Sequence, residues 1–68
     1  MDKADKICSE IGDRLRAARV ERGMTQAEVA GAMHIAQSQY GKVETGKVIP
    51  SLKTLIKAAE VLGVNINK

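Results

Sequence analysis

The sequence predicts an all-α fold, a compact bundle of four to five short helices forming one domain over residues 1–68. Three observations carry this. Apolar residues recur at helical spacings, at 7, 11, 15 and 18 and again at 52, 55, 56, 59 and 62. Residues that start and stop helices punctuate the chain at Gly23, Thr25, Gly46, Ser51 and Gly63. The length of 68 residues allows one core, and such a chain buries only about 60% of its unfolded surface, so its stability amounts to a few kcal/mol.

The first element is predicted over residues 8–22, with MDKADK at 1–6 polar and frayed. Gly23 follows as a residue that closes a helix in the left-handed conformation. The strongest local signature comes next. Thr25 and Glu28 form a capping box, in which each side chain satisfies the other's free backbone N–H, and Met24 and Val29 form a hydrophobic staple. A second helix is expected over 26–33. The apolar period then shifts between Met33 and Ile35, which implies a turn with His34 as its left-handed residue, histidine being among the side chains enriched there. A third helix is expected over 37–45, with Ile35, Tyr40 and Val43 inward and Gln37, Ser38, Gly41, Lys42 and Thr45 on the opposite edge. A buried tyrosine hydroxyl needs a partner, which sets Tyr40 at the rim of the core or turns its tip outward. Pro50 keeps Ile49 out of the helical region, and Ser51 caps a fourth helix that Gly63 ends. Val64–Lys68 reads as a turn folding back on the core or the stump of a fifth helix. The predicted core is Ile11, Leu15, Ala18, Val29, Ala30, Met33, Ile35, Tyr40, Val43, Leu52, Leu55, Ile56, Ala59 and Leu62.

Composition narrows the function classes. The net charge is +3, and all of it arises after residue 28, where five lysines face two glutamates. Such an excess suits a polyanion, although basic surfaces are often only solvated. Tyr40 is the sole aromatic residue, so the chain lacks the rings on which single strands and RNA are stacked, which favours duplex DNA. The single Cys8 and single His34 offer no metal-ligand spacing, and a lone cysteine fits a reducing, cytoplasmic setting. The charged start of the chain does not read as a signal peptide, and no apolar run approaches the ~20 residues of a membrane span. No paired-carboxylate site, nucleophile–base pair or phosphate-cradling glycine loop is visible. The expectation is therefore no enzyme, no catalytic residue, no cofactor, no metal and no small-molecule substrate. Arg14, Arg16 and Arg22 read as solvated residues of the first helix, partly paired with its Glu and Asp side chains.

The pattern over residues 11–64 resembles the Cro and lambdoid-repressor family of helix-turn-helix proteins, the XRE-type transcriptional regulators. The residues that carry the resemblance are R-x-x-R-G-M-T-Q-A-E-V-A at 19–30, V-E-T-G-K at 43–47, Pro50 and S-L-x-T-L at 51–55. It implies a lambda-repressor-like fold with the helix-turn-helix at 25–46, in which the third helix lies in the major groove and the second crosses the phosphate backbone. By the family's pattern, Gln37, Ser38 and Lys42 occupy base-reading positions. Their chemistry agrees, since Gln bonds adenine in pairs, Lys reaches guanine and Ser serves either. Gln26, Gln39, Thr45 and Lys47 are implied at the DNA backbone, Gln26 at a helix start where free N–H groups favour an anion. Arg19 and Glu44 match a structural ion pair. The family often has Gly at the position of His34 and Ser or Thr at that of Ala36. An alanine N-cap costs roughly 0.5–2 kcal/mol, so the third helix is locally the weakest.

The implied function is sequence-specific binding of a palindromic duplex operator by a homodimer that regulates transcription, its dimer contact formed by the fourth helix and the Val64–Ile66 tail. A rival reading keeps the fold but uses it on a protein partner, as an antitoxin-like or targeting module.

Overall fold

The computed structural model describes residues 3–64. Four helices follow in order, α1 over Lys3–Glu21, α2 over Gln26–Met33, α3 over Gln37–Glu44 and α4 over Leu52–Leu62. No strand occurs among the described residues. α3 packs on α1 and α2, and α4 packs on the same two helices from another side. The α2–α3 pair is thus packed against α1 through α3 and against α4 through α2.

The local signals act as read. Thr25 Oγ1 accepts from the Glu28 N–H at 3.1 Å, and Glu28 Oε1 accepts from the Thr25 N–H at 2.8 Å. Both arms of the capping box are therefore closed. Met24 packs against the cluster that contains Val29. His34 adopts φ 61° and ψ 39°. Its N–H donates to the Gly31 carbonyl and the Ile35 N–H to the Ala30 carbonyl, so the left-handed residue turns the chain while satisfying the end of α2. The same closure ends α3: Gly46 has φ 76°, its N–H donates to Val43 O, and the Lys47 N–H donates to Lys42 O at 2.9 Å. Thr45 caps α3, one residue past its last helical position. Ser51 Oγ accepts from the Thr54 N–H at 3.1 Å and starts α4.

Three expectations are corrected. First, α1 begins at Lys3, five residues earlier than position 8. Its inward ladder is Ala4, Cys8, Gly12, Leu15 and Arg19, with Cys8 buried and Ile7 exposed. Of the line at 7, 11, 15 and 18, Leu15 is buried and Ile11 and Ala18 pack against the core, whereas Ile7 turns outward and Cys8 takes the inward place beside it. Second, α4 turns Leu55, Ala58, Ala59 and Leu62 toward the protein and leaves Leu52 71% exposed and Ile56 40% exposed. Two apolar lines run along this helix, and the one bearing Ala58 and Ala59 faces inward because small side chains let it approach α2. Third, Tyr40 is fully buried in the cluster of Leu15, Val29, Ala30, Met33, Val43, Ala58 and Leu62, neither at the rim nor pointing outward. Val64 packs against that cluster; the rest of the expected fold-back, residues 65–68, lies outside the described residues.

Candidate nucleic-acid interface

α3 is divided sharply by burial. Tyr40, Val43 and Glu44 are buried, while Gln37, Ser38, Gln39 and Lys42 are exposed. The helix has no side-chain N-cap, since Ala36 stands at that position, and Gly41 weakens its middle without interrupting it. Its position comes from the buried edge. The exposed edge carries an amide, a hydroxyl, a second amide and an ammonium in one run, which is the donor and acceptor set that base edges and phosphates require. The nominated residues fall into two places. Ser38, Gln39 and Lys42 border a groove whose far wall is Val48, Ile49 and Pro50. Gln26 and Thr45 border a second cleft, at the other end of α3, together with Asp13, Arg16, Arg19 and Glu44. Gln37 and Lys47 are exposed and line neither.

The second cleft is held by a buried ion pair. Arg19 Nε donates to Glu44 Oε2 at 2.8 Å and Nη2 donates to Oε1 at 3.1 Å, a two-point fork. Arg19 Nη1 also donates to the Met24 carbonyl at 2.9 Å. Glu44 is only 5% exposed. Burial pushes its carboxyl upward, but hydrogen bonding from Arg19 foremost, and from Gln26, outweighs this and holds it below the ordinary carboxylate value. The carboxylate raises the Arg19 guanidinium in turn. One ion pair thereby ties α1, the α1–α2 turn and the end of α3.

Gln26 is turned into this network. Its Nε2 donates to Glu44 Oε1 at 3.1 Å and the residue is half-buried. In the unbound chain it therefore latches the start of α2 to the end of α3. Thr45 Oγ1 donates to Gly41 O at 3.0 Å and lies 3.3 Å from Lys42 O.

The Tyr40 hydroxyl is buried beside the pair and has no hydrogen-bond partner. Burial, then the nearby carboxylate, holds its ionisation far above the ordinary phenol value. An unpaired buried hydroxyl costs roughly 1–3 kcal/mol. Tyr40→Phe keeps the ring and removes the cost, so we expect the variant to be more stable by about 1 kcal/mol, read as a higher urea midpoint with an unchanged slope.

Two placements go beyond what local spacing gives. Gly12 is buried where α1 meets α3, and a Cβ there would collide with the Glu44 carbonyl oxygen and lie 2.9 Å from that of Val43. A glycine on the inward line of a helix marks such a close approach, but a line traced through apolar side chains alone passes over it. Arg16 lines the second cleft, which sequence spacing alone does not reveal. Among the described residues no helix is long and apolar enough to cross a membrane.

A short helix, a left-handed turn and a second short helix with a polar outer edge define a helix-turn-helix module. Residues 15–68 match the family described as Helix-turn-helix, and the chain belongs to that family. It is 43% identical over 55 residues to the SPbeta prophage-derived uncharacterized HTH-type transcriptional regulator YonR of Bacillus subtilis (strain 168), covering 81% of this chain and 51% of that protein. It is 33% identical over 57 residues to the immunity repressor protein of Bacillus phage phi105, covering 84% of this chain and 40% of the repressor. The uncharacterized HTH-type transcriptional regulator YazB of Bacillus subtilis (strain 168) is 37% identical over 57 residues, with 84% of this chain and 83% of YazB covered. The chain thus spans about half the length or less of YonR and the phage repressor. No solved structure matches.

Proposed function

We propose that this chain is a sequence-specific, duplex-DNA-binding transcriptional regulator that reads the major groove with α3. The observation that carries the reading is the split of α3, whose buried edge fixes the helix while Gln37, Ser38, Gln39 and Lys42 all remain in solvent. Gln37, Ser38 and Lys42 read bases. Gln39 and Lys47 follow the backbone, joined by Gln26 and Thr45 once DNA displaces their contacts with Glu44 and the Gly41 carbonyl. The relatives named as regulators and as a phage repressor support this reading.

One recognition helix contacts only a few base pairs, so a homodimer on a palindromic operator supplies the rest. Its contact is formed by the apolar residues that α4 and the preceding loop leave exposed, Leu52, Ile56, Val48 and Ile49. The protein works in the cytoplasm, with the DNA it reads, and is not an enzyme.

Selection from a random duplex library should recover one inverted repeat, bound with an affinity that falls steeply with salt. Gln37→Ala should relax preference at one base step in each half-site by about 1–3 kcal/mol without lowering thermal stability. Equal binding to every duplex would reject sequence-specific reading. Silence with all duplexes, together with a co-purifying protein, would transfer the fold to the protein-partner reading.

A further inference from the structure

A phosphate oxygen only accepts hydrogen bonds, so a residue that grips DNA backbone must have a donor to spare. The cleft between α1, the start of α2 and the end of α3 can be judged residue by residue on that basis. Thr45 has spent its hydroxyl proton within α3, where Oγ1 donates to Gly41 O at 3.0 Å. Gln26 has given one N–H to Glu44 Oε1. Arg19 is turned inward, with Nε and Nη2 on Glu44 and Nη1 on the Met24 carbonyl. The remaining cation is Arg16. It lies one turn before Arg19, is exposed and borders the cleft beside Gln26 and Thr45. Its guanidinium takes part in no ion pair or side-chain hydrogen bond among the described residues. Five N–H donors and a full positive charge are therefore uncommitted where two residues nominated for the backbone already lie.

We propose that Arg16 is a DNA-backbone contact, holding a phosphate over this cleft as α3 enters the groove. The inference rests on the duplex-DNA reading given above. The cleft also contains Asp13, whose carboxylate takes part in no ion pair among the described residues, whereas the Glu44 charge is answered by Arg19. An arriving phosphate is thus drawn by Arg16 and opposed by Asp13, and the two residues act on affinity with opposite signs. Arg14 supplies the comparison. It is exposed on α1, but it flanks buried Leu15 on the side opposite Arg16, about 100° around the helix in the other direction, and does not border the cleft.

The test is fluorescence anisotropy across a potassium chloride series, with the duplex recovered by selection and with a mixed-sequence duplex. The proteins are the parent chain, Arg16→Gln, Arg14→Gln and Asp13→Asn. Arg16→Gln should weaken binding to both duplexes by the same factor and reduce the slope of log K against log salt by about 0.9, one phosphate's worth. Arg14→Gln should leave that slope unchanged, and Asp13→Asn should tighten binding to both duplexes. All are surface substitutions, and their thermal unfolding should match the parent's. An unchanged slope in Arg16→Gln, or an equal loss in Arg14→Gln, overturns the assignment while leaving the DNA reading standing. A parent chain that binds neither duplex overturns the DNA reading itself, and Arg16's role with it.

Discussion

Gly12→Ala is expected to leave the chain unfolded at room temperature. The glycine is the point where the middle of α1 touches the last turn of α3. A methyl group there would overlap the Glu44 carbonyl oxygen, with the Glu44 carbonyl carbon 2.7 Å and the Val43 carbonyl oxygen 2.9 Å away. All three atoms are backbone, so no rotamer change relieves the clash; the two helices must separate. Overpacking a core typically costs about 1–3 kcal/mol and more where backbone must move. Separation would also stretch the Arg19–Glu44 fork and expose Tyr40, which packs from the same helix. A domain of this size has about that much stability in total. Gly31→Ala is the matched control. Gly31 is an exposed residue within α2, where an added Cβ meets nothing within 4 Å, and alanine should stabilise the helix by about 0.5–1 kcal/mol. Circular dichroism and urea melts of the two variants should therefore move in opposite directions. A folded Gly12→Ala with parent stability would mean that α1 and α3 are not in contact as described.

This pair of glycines shows where the sequence was informative. Signals closed within a few residues were legible: the Thr25–Glu28 box, the left-handed His34 and the Ser51 cap need no knowledge of the rest of the fold. The polar edge of α3 was legible because its apolar complement, Tyr40 and Val43, repeats at helical spacing. What depends on the approach of two helices was not. On α4 both Leu52–Ile56 and Ala58–Ala59–Leu62 form apolar lines, and only the distance to α2 selects the line with the alanines. On α1 a shift of one residue exchanges Ile7 for Cys8 and brings Gly12 inside. The inward turn of Gln26 has the same origin: its acceptor, Glu44, is 18 residues away and becomes available only once α3 is seated. The polar network at the end of α3 thus follows from packing that local signals do not specify, and its energy can be tested directly.

Removing Arg19 should be nearly as damaging as filling Gly12. Arg19→Met preserves much of the stem's volume but strands the Glu44 carboxylate, whose side chain is 2% exposed, with Gln26 as its remaining donor. Breaking one side of a buried pair costs about 3–5 kcal/mol, because the charge left behind is neither solvated nor matched. The pH dependence separates this cause from lost packing. In the parent chain the Glu44 carboxyl is held below its ordinary value, mainly by Arg19 against the opposing effect of burial. Its contribution to stability is therefore complete above the unfolded carboxyl pKa of about 4.3 and is lost as pH falls through the lower folded value. In Arg19→Met burial prevails and the folded pKa rises above the unfolded one. The sign then reverses: the penalty is largest near neutrality and disappears as acid neutralises the group. Urea melts at about pH 7 and about pH 4.5 should show the gap between parent and variant narrowing on acidification. Arg19→Met with Glu44→Met should recover most of the loss at both pH values, since an apolar pair of similar size replaces a buried ion pair at little cost. A gap that is constant with pH, and is not recovered in the double variant, would assign the loss to the Arg19–Met24 contact and to packing, and would leave the carboxylate without a structural role.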